Sequence, residues 1–178
     1  MCVIGVCLLS ASPVSSATAV NLLTAQEPQL RAAVILGVLR FTSWSHHDSS
    51  EKFLDVCTFG QPIAEPALLP VSNVHKVAYQ TVVVRNIAGV KNIKINSCDV
   101  VIYGAGSNKA SLMLGMQHSI AYPVLTICDG CKLSDAATTV KLIRRGGRIG
   151  FEVNLDNAKK HGIILSSSLL ELASEIRR

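Results

Sequence analysis

The residues of this chain best equipped for chemistry are its cysteines. Cys128-Asp129-Gly130-Cys131 is a close Cys-x-x-Cys pair, and Cys57 and Cys98 stand singly in apolar surroundings. A Cys-x-x-Cys pair serves as a local disulfide, a thioredoxin-like redox centre or half of a zinc site. The redox reading needs the attacking thiol at the start of a long helix, where the dipole lowers its pKa. Asp129 adds negative charge, and the residues after Cys131 make a poor helix start, so a structural or regulatory bridge ranks first. The zinc reading needs a second ligand pair. His46-His47 is the only candidate, and a paired histidine in a Ser-rich loop reads as solvated. Gly104-Ala-Gly106-Ser-Asn-Lys109 follows a strand pattern and opens a helix pattern, a place where backbone amides hold anions. It lacks the third glycine of a dinucleotide fingerprint and the Gly-Lys-Ser/Thr of a P-loop, so it reads first as a tight connection. No Ser-His-Asp triad, catalytic carboxylate pair or metalloprotease motif stands out. The absence of catalytic residues agrees with a non-enzymatic binding role without metal or cofactor, but does not by itself give one. The alternatives are an exported thiol-disulfide oxidoreductase using Cys128 and Cys131, and a solute-binding module using the 104–109 turn.

These residues must be held by a domain of ordinary size. The chain has 178 residues, of which 49% are apolar, enough for one sizeable core and too apolar for disorder. Aromatics are only 4%, so the core must be aliphatic. The net charge of +5 is dispersed and not interleaved with aromatics, which argues against nucleic-acid binding. Lys159-Lys160-His161 and Arg177-Arg178 lie near the ends of predicted helices, where the dipole favours cations.

Residues 1–19 carry no charged side chain. An apolar stretch from Cys2 to Leu9 leads into small residues and ends Ala17-Thr18-Ala19, the pattern of a cleavable secretory signal without its basic n-region. The run is too short to span a membrane. A signal peptide over 1–19 and a mature domain over 20–178 are expected, which leaves Cys57, Cys98, Cys128 and Cys131. An even number of cysteines in an oxidising compartment favours disulfides, with three connectivities open. Cys57 and Cys98 would come within bridging distance if their strands are neighbours.

The element pattern predicts a helix from Val20 to Trp44, with Thr24-x-x-Glu27 as a capping box and Pro28 in the first turn. Leu30, Val34, Val38, Leu39 and Phe41 follow with helical spacing, and the helix is apolar on most sides, so deep burial is expected. Strands are predicted at Phe53–Gly60, Tyr79–Arg85, Asp99–Gly104 and Pro123–Cys128, a short helix at Gln61–Leu69, and an amphipathic helix at Ser107–Ala121 presenting Leu112, Met116 and Ile120. Val140 to Val153 then reads as a hairpin around Gly146-Gly147. Its register pairs Lys141 with Glu152, Leu142 with Phe151 and Arg145 with Arg148. Asn154 caps a short helix closed by Gly162, and Ser168-Leu-Leu-Glu171 reads as the capping box of a last helix. The fold class is α/β: a single-domain sandwich with a mixed sheet flanked by helices and a C-terminal hairpin.

The hairpin has two faces. Val140, Leu142, Ile149, Phe151 and Val153 should pack inward, leaving Lys141, Arg145, Arg148 and Glu152 together on the other face. Those four charges are a candidate partner-binding surface, weighed against a solvated hairpin kept soluble by charge. Trp44 is a second candidate contact, weighed against a core plug.

In order along the chain, Phe41-Thr42-Ser43-Trp44, Val56-Cys57, Cys98-Asp99-Val100-Val101-Ile102, Pro123 to Thr126 and the closing Phe151-Glu-Val-Asn-Leu155 to Ala173 block resemble the YfiR family of small periplasmic bacterial proteins. The resemblance spans Arg31 to Ala173. It implies bridges Cys57–Cys98 and Cys128–Cys131, although in the family member best known for these bridges the second pair is more widely spaced. It also implies a partner, the periplasmic domain of a YfiN-like membrane diguanylate cyclase, which the protein holds inactive. That would lower cyclic di-GMP and restrain biofilm formation. A YfiB-like outer-membrane lipoprotein would draw the inhibitor away, and a homodimer is a further candidate assembly.

Overall fold

A computed structural model of the chain describes residues 17–45, 51–87, 98–107, 123–134 and 137–178, with residues 17–25 as backbone only. In chain order its elements are α1 (Ala17–Arg40), β1 (Thr42–Trp44), β2 (Phe53–Phe59), α2 (Glu65–Leu68), β3 (Lys76–Val77), β4 (Gln80–Asn86), β5 (Val100–Tyr103), β6 (Leu125–Cys128), β7 (Val140–Arg145) and β8 (Arg148–Asn154). They are followed by α3 (Leu155–Lys160), β9 (Ile163–Leu165), α4 (Ser167–Leu172) and β10 (Glu175–Arg177). The predicted helix over 107–121, with Leu112, Met116 and Ile120, lies almost wholly outside the described residues.

The main sheet has the order β10-β8-β7-β6-β5-β2-β4-β3. Its centre, β4-β2-β5-β6-β7, is parallel throughout. Counted from β2, the parallel strands follow the 2-1-3-4-5 order of flavodoxin-like doubly wound sheets. β3 and β8 join antiparallel and β10 joins parallel, so the sheet is mixed, as the α/β reading expects. β5 and β6 are buried along their whole lengths, which is why Val100-Val-Ile-Tyr103 and Leu125-Thr-Ile-Cys128 are apolar or small without alternation.

Side chains alternate across the sheet. Leu54, Val56, Val82, Val100, Ile102, Leu125, Ile127, Val140, Leu142, Phe151 and Val153 share one face and pack with Ala32, Ile35, Val38 and Leu39 of α1. Each fully buried aliphatic there contributes roughly 1.5–3 kcal/mol. Cys57, Val101 and Tyr103 point to the opposite face and cluster with Cys98, Val124 and Ala137.

Several expectations need correction. The helix begins before Thr24, so Pro28 sits inside it and not in its first turn. Its burial is one-sided and not the deep burial expected: the buried stripe is Arg31, Ala32, Ile35, Val38 and Leu39, while Leu30 and, just past the helix, Phe41 are exposed. The helix stops at Arg40, four residues short of Trp44. The Thr42 hydroxyl donates to the Val38 carbonyl at 2.8 Å, and Thr42–Trp44 form β1 by pairing antiparallel with β9. The predicted short helix shrinks to Glu65–Leu68, followed by a 3-10 turn over Leu69–Val71. The last helix is capped by Ser166, two residues before Ser168. Ser166 is held extended because its amide donates to Phe41 O, and its hydroxyl accepts from Leu169 N at 3.2 Å.

Candidate functional site

The hairpin folds in the register its two glycines demand. Both are left-handed, with φ of 53° at Gly146 and 83° at Gly147, the geometry of a two-residue primed turn. Lys141 lies opposite Glu152, Leu142 opposite Phe151 and Arg145 opposite Arg148. Val140, Leu142, Phe151 and Val153 are buried, and Ile149 packs against the same core. β6 pairs with β7 only at Val140 and Lys141, so the hairpin arms from Leu142 to Phe151 reach past that strand. Arg144, Arg145 and Arg148 are exposed at the tip. Arg144 donates to Glu27 of α1 at 2.7 Å, and Arg145 lies 3.6 Å from Glu152. Glu152 is nearly buried, and its carboxylate also accepts from Arg177 at 2.8 Å.

The structure brings Lys141, Arg145, Arg148 and Glu152 onto one hairpin face and keeps Trp44 away from it. The Trp44 indole donates to the Asp99 carbonyl at 3.2 Å, at the entrance of β5, and its ring packs against the core. The hairpin turn lies beyond the exit of β7, which runs in the same direction as β5. Trp44 and the hairpin tip therefore mark opposite ends of the sheet. Trp44 instead borders a cleft of about 230 Å³ with Arg40, Ser43 and Tyr79.

Of the six cysteines, four form two disulfides, Cys57–Cys98 and Cys128–Cys131, with Cα separations of 5.8 and 5.4 Å. Cys57 on β2 neighbours β5, and Cys98 immediately precedes β5, so strand adjacency makes the first bridge. The second closes the turn after β6. Residues 131–134 have no regular structure, so no helix start lies at Cys131 to activate a thiol.

Asp129, inside that turn, carries a role that reading the sequence missed. It is fully buried. One carboxylate oxygen accepts from Arg31 Nη1 at 2.7 Å, and the other accepts from the Ala64 amide at 2.7 Å. Its own amide donates to Tyr103 O. Arg31 also pairs with Glu27 at 2.7 Å, and Glu27 holds Arg144. A continuous chain of charge thus runs from the hairpin through α1 to the Cys128–Cys131 turn. The available signal was Arg31 itself, four residues before Ile35 on the buried stripe, since a cation there requires a buried partner.

Gly104 to Ser107, the described start of the 104–109 turn, lies where a doubly wound sheet opens its ligand crevice, at the exits of β2 and β5. Here the exits are closed against each other. Gln61 and Ala105 form an antiparallel bridge, and a Cβ on Gly104 would fall 1.9 Å from the Pro62 nitrogen. The described part of the turn is the tight connection expected of it. Nearby, burial pushes the Tyr103 hydroxyl pKa up to about 12. That hydroxyl has no hydrogen-bond partner among the described residues.

Fold and site together define a small α/β domain stapled by two disulfides, with a cationic hairpin projecting from its sheet. The chain belongs to the YfiR/HmsC-like family, whose pattern it matches over residues 28–174. This family is associated with the regulation of diguanylate cyclase signalling. A comparison with curated proteins gave no match. Among the described residues no helix is long and apolar enough to cross a membrane. Two disulfides are the mark of an oxidising compartment.

Proposed function

We propose that this protein is a periplasmic, non-enzymatic inhibitor of an inner-membrane diguanylate cyclase of the YfiN type. It is exported by a signal peptide cleaved after Ala19. It binds the periplasmic part of the cyclase and stabilises the inactive state by binding that state more tightly. A YfiB-like lipoprotein removes it, and the output is lower cyclic di-GMP and less biofilm. The observation that carries this reading is the family match over nearly the whole domain. The disulfide-stapled fold supports it, because the Cys128–Cys131 turn serves as a structural anchor through Asp129.

The contact surface of this reading is the hairpin face of Lys141, Arg145, Arg148 and Glu152, of which Arg145 and Arg148 are exposed, Lys141 is half-buried, and the nearly buried Glu152 serves to hold Arg145. Its support is a rigid two-residue turn that holds exposed arginines beyond the edge of β6. Trp44 is the reserve site, because it lies at the other end of the sheet. Tagged mature protein used as bait on solubilised inner membranes tests the reading. Recovery of a membrane protein with a cytoplasmic diguanylate cyclase domain is the expected result. Recovery of none, with the bait folded and disulfide-bonded, would sink it.

A further inference from the structure

β10 is a part of the fold that this function leaves unused, and it lies just beyond the stretch matching the family. It has three residues and covers only the end of β8, with Glu175 opposite Glu152, Ile176 opposite Val153 and Arg177 opposite Asn154. Ser174 continues the contact, donating its amide to Phe151 O at 2.8 Å. The pairing contains a conflict, because like charges directly opposite each other destabilise a strand pair. Glu175 and Glu152 are such a pair. Arg177 bridges the two: its Nη2 donates to Glu152 and its Nε donates to Glu175, both at 2.8 Å, while Arg145 lies 3.6 Å from the same Glu152. Apolar burial adds little, since Ile176 is 40% exposed. Arg177 also lines a narrow slot with Thr138, Thr139, Lys141, Glu152 and Asn154. A strand this short, latched by one partly exposed cation, belongs to the low-stability end of the fold.

We propose that β10 is a displaceable strap and that the outer edge of β8 is a docking site for an extended segment of a protein partner. The strap shows what that segment must carry. Its backbone adds parallel to β8, an apolar residue lies beside Val153, and an arginine one position later meets the nearly buried Glu152 carboxylate. Main-chain bonds supply affinity and the arginine supplies selectivity, as in other strand-addition complexes. The inference does not rest on the cyclase reading, and it shares with the hairpin face the one residue Glu152, which also lies beside Arg145.

The test uses the full chain, a labelled peptide Ser-Glu-Ile-Arg-Arg and its counterpart with both arginines replaced by glutamine. Arg177→Gln removes the latch. The variant should bind the arginine peptide at least tenfold more tightly than wild type does, and should not bind the glutamine peptide. In wild type, amides of β10 should exchange at least tenfold faster than those of β5, and faster still in 0.5 M salt. Equal peptide affinity for variant and wild type would overturn the proposal. So would β10 amides as protected as those of β5, a readout that stands even if the variant fails to fold. Self-association of the variant without peptide would assign the edge to a second copy of the chain and overturn it as well.

Discussion

Arg31 and Asp129, 98 residues apart, meet at 2.7 Å at the exit end of the sheet, both almost fully buried. The pair ties α1 to the Cys128–Cys131 turn, and through the Ala64 amide it ties the start of α2 to the same carboxylate. Breaking a buried ion pair costs about 3–5 kcal/mol when the remaining charge is left unpaired. Arg31 keeps Glu27, but the Ala64 amide loses its acceptor, so Asp129→Ala should lower unfolding stability by about 2–3 kcal/mol, read from urea midpoints. Asp129→Asn keeps the acceptor oxygen and should cost less. Wild-type midpoints for Asp129→Ala would show that the pair does not anchor α1.

The two disulfides should contribute unequally. Cys57–Cys98 closes a loop with a sequence separation of 41, and Cys128–Cys131 one of 3. On the chain-entropy model these are worth about 4 and about 2 kcal/mol. Replacing Cys57 and Cys98 together with serine should give the larger loss. Replacing Cys128 and Cys131 should give a smaller one, accompanied by faster amide exchange at Asp129. The opposite ranking in denaturant titrations would contradict this account.

Tyr103 gives the protein an alkaline limit. Its pKa is raised by burial from 10.0 to about 12, so the unfolded chain loses this proton before the folded chain does. The stabilisation is complete below pH 10 and is lost as pH rises through 10 to 12, by up to about 3 kcal/mol. Tyr103→Phe should flatten that part of the stability profile. It should leave stability at pH 7 unchanged or slightly higher, because the hydroxyl it removes has no partner among the described residues. An unchanged alkaline slope in the variant would assign the effect to another group.

The hairpin was legible because a Gly-Gly turn leaves one register, and a one-residue slip would have exposed Leu142 and Phe151. The central strands were legible as apolar runs. The short helix after the hairpin was legible through Asn154, whose side chain accepts from Asn157 N at 2.8 Å. Phe41 to Trp44 was not, because its apolar spacing fits a helix until β9, more than a hundred residues later, offers a strand partner. Ser166 and Ser168 are equally good caps by type, and the choice was made by a backbone bond to Phe41. β3 and β10 are too short to leave a periodic signal. Asp129 was read as a local charge because its partner lies 98 residues away. Of the candidate site, the four hairpin charges sit together as the register implied, whereas Trp44 belongs to the other end of the sheet.

Charge reversal at the hairpin tests the contact surface. Arg145→Glu with Arg148→Glu should change stability little, since both side chains are exposed. In cells carrying the cognate cyclase, the double variant should raise cyclic di-GMP at normal protein levels. Arg177→Gln, which also removes a cation from Glu152, should not.

Cyclic di-GMP synthesis by inner membranes containing the cyclase, measured with and without added mature protein, tests the central claim most directly. The wild-type protein should lower the rate in a saturable way, and the Arg145/Arg148 double reversal should fail to lower it. A rate unchanged by saturating folded wild-type protein would contradict the inhibitory function itself.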